Sequence, residues 1–318
     1  MSFKFNFMGS DCAEPALADT RQANCSMDKL VNEHSSMVCL NIEEAMDLWK
    51  SQLKQGSFII RDVNPTANCT LHFIQPCRSA AMLIDEQDAE RNQSILNDDA
   101  DIITQVYEGG LKVWEASVDL VRFLLENQNV VANCNVLELG CGVGLPGICA
   151  SICGAERVTF QDFNNFVLIQ ATAPTLLLNH AMKDQKRDEN SAQKLLSQSD
   201  LLATLLEQSF VEVDKYQFVA GDWSAVNATL QTKFDVILTA ETIYSTDYYE
   251  RLHRLLQHAL KPGGRVYVSS KSYYFGVGGG VKEWIDFVSS KGLFTTTVVD
   301  VVEASLRRQI LEMRFAGI

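Results

Sequence analysis

The stretch Asn135-Val136-Leu137-Glu138-Leu139-Gly140-Cys141-Gly142-Val143-Gly144-Leu145-Pro146-Gly147-Ile148 decides how the rest of the chain is read. Val136 to Leu139 is a short apolar run of the kind that forms a buried strand, with one carboxylate, Glu138, beside its exit. Gly140, Gly142 and Gly144 then make a loop without side chains, so backbone amides can come close to a ligand. Leu145 opens a helix whose first turn suits Pro146, because the missing N–H has no partner there, and Gly154 is a C′ stop. Strand, glycine turn and helix in that order make a nucleotide-cofactor site.

Two cofactor classes fit such a turn. Gly142-Val143-Gly144-Leu145-Pro146-Gly147 satisfies the G-x-G-x-x-G pattern of dinucleotide sites, which is a weak signal alone. In a dinucleotide fold the first glycine directly follows the strand, with no carboxylate ahead of it. Here Glu138 stands ahead of Gly140, giving E-x-G-x-G-x-G, which suits a cofactor carrying an ammonium and a ribose rather than a pyrophosphate. This arrangement resembles motif I of the S-adenosylmethionine-dependent methyltransferases. A bare strand-to-helix turn is the remaining reading, and the glycine density argues against it.

Composition narrows the class. At 318 residues the chain holds one large domain or a domain with an appendage, and 47% apolar residues suffice for a core. Lys and Arg number 27 against 40 Asp and Glu, a net charge of −13. That balance argues against direct nucleic-acid binding, which needs clustered basic residues; an acidic surface serves solubility or attracts a basic protein. Nine cysteines without a signal peptide point to a reducing compartment. None forms a C-x-x-C pair and no metal site is expected; Cys149 and Cys153 read as small core residues. No apolar run approaches the roughly 18 residues that cross a bilayer, and Ser2 excludes N-myristoylation, so a soluble intracellular protein without membrane attachment is expected.

Residues 1–106 read as a less regular N-terminal extension with a docking or substrate-recognition role, and 107–318 as the cofactor domain. Met1 to Phe7 alternates aromatic and polar residues, as an edge strand or a short docking motif would. Asp11 to Asn32 is polar and reads as mobile, Ile42 to Leu53 as a helix stopped by Gly56, and Asp85 to Asp101 as a loop. Phe58-Ile59-Ile60 and Leu71-His72-Phe73-Ile74 read as strands around an Asn64-Pro65 turn; His34 and His72 are isolated. From Tyr107 the texture changes. Val113, Leu120 and Leu124 mark a helical stripe that can cover a cofactor mouth, with Trp114 packing and Ser117 donating a hydrogen bond, or with Trp114 only anchoring the core.

The remaining strands follow in order. Arg157 to Gln161 ends at Asp162, about 20 residues beyond Glu138 as in a βαβ unit, where a carboxylate accepts from both ribose hydroxyls. Asn164 caps the next helix, through Leu178, with a kink at Pro174; Met182 to Ser209 is a polar insertion. Tyr216 to Ala220 leads to Gly221-Asp222-Trp223, where a carboxylate can take the adenine amine and an indole gives a flat face. Phe234 to Ala240 leads to Glu241-Thr242-Ile243-Tyr244, at the sheet edge where chemistry belongs. Leu252, Leu255, Leu256 and Leu260 face the core, with His253 and His258 in solvent. Lys261-Pro262-Gly263-Gly264 turns into the strand Arg265 to Ser270; the segment Lys271 to Gly280 shapes a substrate pocket; a helix runs to Ser290; and Phe294–Glu303 with Gln309–Phe315 closes the sheet as a hairpin.

Together these features resemble the seven-strand S-adenosylmethionine-dependent methyltransferases over about residues 107–318: an α/β, Rossmann-like, mostly parallel sheet with a C-terminal antiparallel hairpin. Glu241-Thr242-Ile243-Tyr244 matches the acidic-x-x-Tyr pattern of their protein-directed branch. More narrowly, Tyr107 to Glu115, Gln161 to Asn164, Ala240 to Tyr244 and Tyr274 to Gly280 are similar to the histidine protein methyltransferases. The resemblance implies cofactor contacts at Val113, Trp114, Glu115, Ala116 and Ser117, at Gly140, at Gln161, Asp162 and Phe163, at Gly221, Asp222 and Trp223, and at Ala240. Glu138, Cys141, Gly142 and Gly144 join them from the glycine stretch. It further implies S-adenosylmethionine as donor, S-adenosylhomocysteine as product, and a histidine of a basic large-subunit ribosomal protein as acceptor. Residence in cytoplasm and nucleus, including the nucleolus, is implied as well.

The chemistry asks little of the protein. A sulfonium methyl is already electrophilic, so the enzyme chiefly aligns a lone pair opposite the sulfur. Imidazole, with an ordinary pKa of about 6.5, is mostly neutral at pH 7. What remains is to give its other N–H an acceptor, for which Glu241 or the Tyr244 hydroxyl is the expected group. Lys271 and the Tyr273-Tyr274-Phe275 group would line the pocket, so the catalytic set is Glu241, Tyr244, Lys271 and Tyr274, with Gly276 to Gly280 admitting the peptide. A lysine methyltransferase on the same fold and a silent cofactor-binding module are the alternatives. A nicotinamide dehydrogenase is disfavoured by Glu138 and Asp222-Trp223.

Overall fold

A computed structural model of the chain describes residues 2–3, 37–52, 58–76, 102–103, 107–185 and 213–317. In chain order the first half contains β1 (Ser2–Phe3), β2 (Val38–Asn41), α1 (Ile42–Gln52), β3 (Phe58–Thr66), β4 (Cys69–Pro76), β5 (Ile102–Ile103), α2 (Glu115–Glu126), β6 (Asn135–Leu139) and α3 (Leu145–Ile152). It continues with β7 (Arg157–Asp162), α4 (Asn165–Val167), a π-helical segment (Leu168–Thr172) and α5 (Ala173–Gln185). The second half holds β8 (Tyr216–Ala220), α6 (Trp223–Thr229), β9 (Phe234–Ala240), α7 (Tyr249–Ala259), β10 (Leu260–Lys271), α8 (Val281–Lys291), β11 (Phe294–Val302) and β12 (Arg308–Phe315).

The central sheet has eight strands in the order β11-β12-β10-β9-β6-β7-β8-β2. Strands β10, β9, β6, β7 and β8 run parallel, while β12 and β11 form the antiparallel hairpin and β2 pairs antiparallel with β8. The expected Rossmann-like sheet is therefore present, and β2 adds a strand to it. From β6 the chain builds β7 and β8 on one side, then crosses back to lay β9 and β10 on the other. The switch point between β6 and β9 opens a crevice at their carboxyl ends, where ligands of such sheets bind.

Alternation along the strands feeds two cores. Val136, Val236, Leu238 and Tyr267 face one layer, with α1, α2, α3 and α5; Leu137, Leu139, Ile237, Val266 and Val268 face the other, with α7 and α8. Residues ahead of the glycine stretch belong to the first layer. Ile42, Ala45, Met46 and Trp49, at helical spacing on α1, are buried there, as are Leu71, Phe73 and Ile74 of β4. Strand β4 docks its outer edge on α5: the His72 amide donates to Asn179 Oδ1 (3.0 Å), Asn179 Nδ2 donates to His72 O (2.7 Å), and the Ile74 amide donates to Thr175 Oγ1 (2.9 Å). Side chains of a helix here satisfy strand groups that a further strand would otherwise pair.

Several local expectations are corrected. The β3–β4 hairpin turns at Ala67-Asn68; Pro65 lies within β3 at an irregularity between Val63 and Thr66, where the ladder needs no N–H. The Asn164 side chain does not cap its helix; its backbone N–H donates to Asp162 instead. The helix around Pro174 widens into the π segment just before the proline, which accommodates the missing backbone donor. Lys261-Pro262-Gly263-Gly264 forms a bulge inside β10, between Leu260 and Arg265, rather than a turn before it. His253 is buried, its ring edge-on to Phe287 and Phe294 at centroid separations of 5.7 and 5.3 Å, and burial lowers its pKa. His258 is half-buried with Nε2 2.6 Å from Leu230 O, so neither histidine is simply solvated. Asp11–Asn32, His34, Gly56, Asp85–Asp101 and the insertion beyond Gln185 to Ser209 lie outside the described residues.

Candidate active site

The crevice starts from the glycine stretch. Gly140, Gly142 and Gly144 all have left-handed backbones (φ 59, 51 and 83°), and the turn they make delivers the chain to α3. Gly147, in the first turn of α3, is needed for a different reason: a Cβ there would meet Glu138 Oε2 at 2.6 Å. Instead the Gly147 N–H donates to that oxygen at 2.7 Å, seating the Glu138 carboxylate on the helix N-terminus. Burial still pushes Glu138 well above the usual carboxylate range, the Gly147 N–H opposing it.

Carboxylates also mark the exits of β7 and β8. Asp162 accepts from Gly142 N (2.9 Å) and Asn164 N (3.0 Å), which ties the second strand to the glycine loop. Burial pushes its pKa up to about 6, with those two amides opposing the shift and Glu108 adding to it. Asp222 caps α6 through Ser224 N (2.8 Å) and pairs with Arg251 (2.7 Å). Gln161, fully buried, staples the region: its Oε1 accepts from Trp223 Nε1 (2.9 Å) and Gly140 N (3.3 Å), and its Nε2 donates to Gly221 O (2.9 Å).

These groups surround a cavity of about 1130 Å³, counting its mouth. Its walls contain Val113, Trp114, Ser117, Glu138, Gly140, Cys141, Gly142, Gly144, Asp162, Phe163, Gly221, Asp222, Trp223 and Ala240 of the expected cofactor set, with Glu241, Tyr244 and Tyr274 of the expected catalytic set. Glu115, Ala116, Gln161 and Lys271 do not line it. Glu108, Lys112, Thr242, Tyr248 and Arg251 line the cavity without having been singled out. Glu108 was within reach of the sequence, as the carboxylate directly before Gly109-Gly110; no spacing marks Arg251, whose role depends on α7 packing beside α6.

The acceptor end is built on β9 and β10. Glu241 follows β9 with φ 58°, a backbone unusual for a residue with a side chain, held by its N–H to Ser269 O (2.9 Å). Its carboxylate accepts from Ala116 N (3.3 Å) and from the Tyr274 hydroxyl, with Lys271 Nζ 3.8 Å away. Lys271 is 2% exposed and also 3.9 Å from Glu115, which Arg308 approaches at 3.4 Å while pairing with Asp119. Burial raises the pKa of Glu241 and Lys271 opposes that; burial and then Glu241 raise Tyr274. Beside this group the hydroxyls of Tyr244 and Tyr248 donate to Glu108, the second at 3.1 Å. Ser117 donates its hydroxyl to the local Trp114 O (2.6 Å), and Trp114 Nε1 donates to Gly109 O (3.1 Å).

Comparison with known proteins places this geometry. A family model described as "Lysine methyltransferase" matches residues 97–185. The "Histidine protein methyltransferase 1 homolog" of Mus musculus is 38% identical over 221 residues, which is 68% of this chain and 59% of that protein. The homolog of Dictyostelium discoideum is 34% identical, covering 69% of this chain and 62% of its own. By sequence the chain is similar to the histidine protein methyltransferase family. A Bos taurus protein-lysine N-methyltransferase matches less, at 30% identity over 42% of the chain and 37% of its own length. The chain thus spans about six-tenths of the length of the histidine protein methyltransferases it matches.

The methyl donor of that family, S-adenosylmethionine, fits the residues present. The glycine loop borders the cavity, a carboxylate stands at each of the three strand exits, and Trp223 offers an aromatic face beside Asp222. When bound, the donor would supply an electrophilic methyl group, and the residues lining the cavity would hold and orient it.

Proposed function

We propose that the protein is a protein-histidine N-methyltransferase, transferring a methyl group from S-adenosylmethionine to an imidazole nitrogen of a histidine in a protein substrate. What carries the reading is one cavity that joins the glycine stretch to a tyrosine- and carboxylate-lined end, in a chain 38% identical to a histidine protein methyltransferase homolog. In this reading Glu138, Asp162 and Asp222 with the glycine loop hold the cofactor, and Glu241, Tyr244 and Tyr274 face the acceptor. The substrate is a basic protein, a large-subunit ribosomal protein, met in the cytoplasm, nucleus or nucleolus; the net charge of −13 supports a basic partner. No helix among the described residues is long and apolar enough to cross a membrane.

The family model's description favours a lysine acceptor as a second reading. Against it stands Lys271, buried 3.8 Å from the Glu241 carboxylate. Lysine, with a pKa near 10.4, arrives as an ammonium and needs an uncompensated carboxylate; a neutral imidazole tolerates one whose charge is already matched. The test is to incubate the protein with isotopically labelled S-adenosylmethionine and ribosomal proteins, then map the label by mass spectrometry. Label on a histidine supports the proposal. Label on lysine alone, or cofactor binding with no transfer, overturns it.

A further inference from the structure

The histidine reading leaves one group unassigned, the acceptor for the ring N–H that does not face the methyl group. As the N–C bond forms, the C–S bond breaks with its electron pair going to sulfur, and the positive charge moves from sulfonium to ring. The ring returns to neutrality when its N–H proton leaves for a base. A carboxylate within hydrogen-bond reach both selects the attacking nitrogen and takes that proton.

Five carboxylates line the cavity: Glu108, Glu138, Asp162, Asp222 and Glu241. Four of them are fixed by main-chain amides: Glu138 by Gly147, Asp162 by Gly142 and Asn164, Asp222 by Ser224, and Glu241 by Ala116. The first three stand at the cofactor end, and Glu241 also has the Tyr274 hydroxyl and Lys271 on it. Glu108 accepts from two phenol hydroxyls, those of Tyr244 and Tyr248. Tyr244 is the tyrosine of the acidic-x-x-Tyr segment, and its ring lies edge-on to Tyr274 at 6.3 Å. Two tyrosines in contact thus donate to two different carboxylates, Tyr274 to Glu241 and Tyr244 to Glu108, and the second pair closes the cavity wall. Hydroxyl donors rotate and can be displaced by an incoming N–H, whereas amides of a strand or helix end cannot.

We propose that Glu108 is the acceptor of the substrate imidazole N–H, held in place by Tyr244 and Tyr248, and that Glu241 positions Tyr274 and the β9 exit instead. This rests on the histidine reading above. The tests are Glu108→Gln, Glu108→Ala and Glu108→Asp, assayed for S-adenosylhomocysteine binding by calorimetry and for histidine methylation at saturating donor across pH 5.5–9. The expected result is unchanged S-adenosylhomocysteine affinity in all three variants and a kcat lowered by about 100-fold or more in Glu108→Gln and Glu108→Ala. Glu108→Asp should recover part of the rate. A wild-type kcat in Glu108→Gln overturns the assignment. So does weakened S-adenosylhomocysteine binding with kcat retained at saturating donor, which would make Glu108 a cofactor residue. Wild-type protein that labels no histidine sinks the histidine reading and this assignment together, so the two failures are told apart by the wild-type lane.

Discussion

In the proposed cofactor site, Asp162 ties affinity to pH. Burial lifts its pKa to about 6, so its folded-state carboxyl holds a proton more tightly than in the unfolded chain. Without cofactor, this group therefore favours the folded state at low pH, and that contribution is lost as pH rises from the ordinary value of 3.8 to about 6. Its proposed partners, the ribose hydroxyls, need the charged form. Affinity for S-adenosylhomocysteine should be flat above pH 7 and fall by up to about tenfold per pH unit well below 6. Asp162→Asn should bind weakly at every pH; calorimetry at several pH values checks both. Lys271 and Glu241 set a second prediction at this scale. Lys271→Met leaves a carboxylate that is 8% exposed without its cation and should cost about 3 kcal/mol in urea denaturation. Adding Glu241→Gln should recover part of that loss, and a double variant no more stable than the single would mean the pair is not coupled.

The segment between β10 and α8 carries Tyr274 to the cavity wall. A Cβ on Gly279 would meet Tyr244 backbone atoms at 2.4 Å, where the Gly279 N–H now donates to Tyr244 O (3.1 Å) and Gly279 O accepts from Tyr274 N (3.0 Å). Gly279→Ala must therefore push the segment away from both tyrosines of the acceptor end. Its kcat/KM for the protein substrate should fall about 100-fold, with S-adenosylhomocysteine affinity unchanged. Gly278→Ala, with nothing within 4 Å and φ 75°, should show only local strain of about 1–2 kcal/mol. Kinetics and calorimetry on the pair separate steric displacement from strain. The glycine stretch, Asp162, Asp222-Trp223 and Glu241-Thr242-Ile243-Tyr244 were readable from sequence because each is a short strand exit whose chemistry lies within a few residues. The π segment before Pro174, the β10 bulge and the burial of His253 were not, because each answers to neighbours far along the chain. Lys271 was read as a wall residue but does not line the cavity: it lies buried beside Trp114, Glu115, Glu241 and Tyr274, a placement that depends on α2 packing on β10.

Across the whole molecule, charge and core each carry a consequence. With a net charge of −13, encounter with a basic substrate should be steered, and KM for the protein substrate should rise with salt while S-adenosylhomocysteine affinity stays nearly constant. A KM indifferent to salt would remove the acidic surface from recognition. The residues before the glycine stretch have a structural part that their composition hid. Periodicity marked α1 and the β3–β4 strands, but nothing local says that β2 extends the main sheet or that α1 fills its first core layer, since both facts depend on pairing with β8 and packing near α5. Ile42, Met46, Trp49, Leu71, Phe73 and Ile74 are all buried there. At roughly 1.5–3 kcal/mol per large apolar side chain, losing them exposes on the order of 10 kcal/mol of burial, comparable to the whole stability of a domain. A fragment beginning at Tyr107 should therefore lack a cooperative thermal transition, although it retains every residue that lines the cavity. Trp49→Ala in the full chain should lower stability by about 3–5 kcal/mol, with S-adenosylhomocysteine binding preserved wherever the protein remains folded. A fragment that melts cooperatively and binds S-adenosylhomocysteine as tightly as the full chain would show that β2, α1 and the β3–β4 hairpin are appended to a core that stands without them.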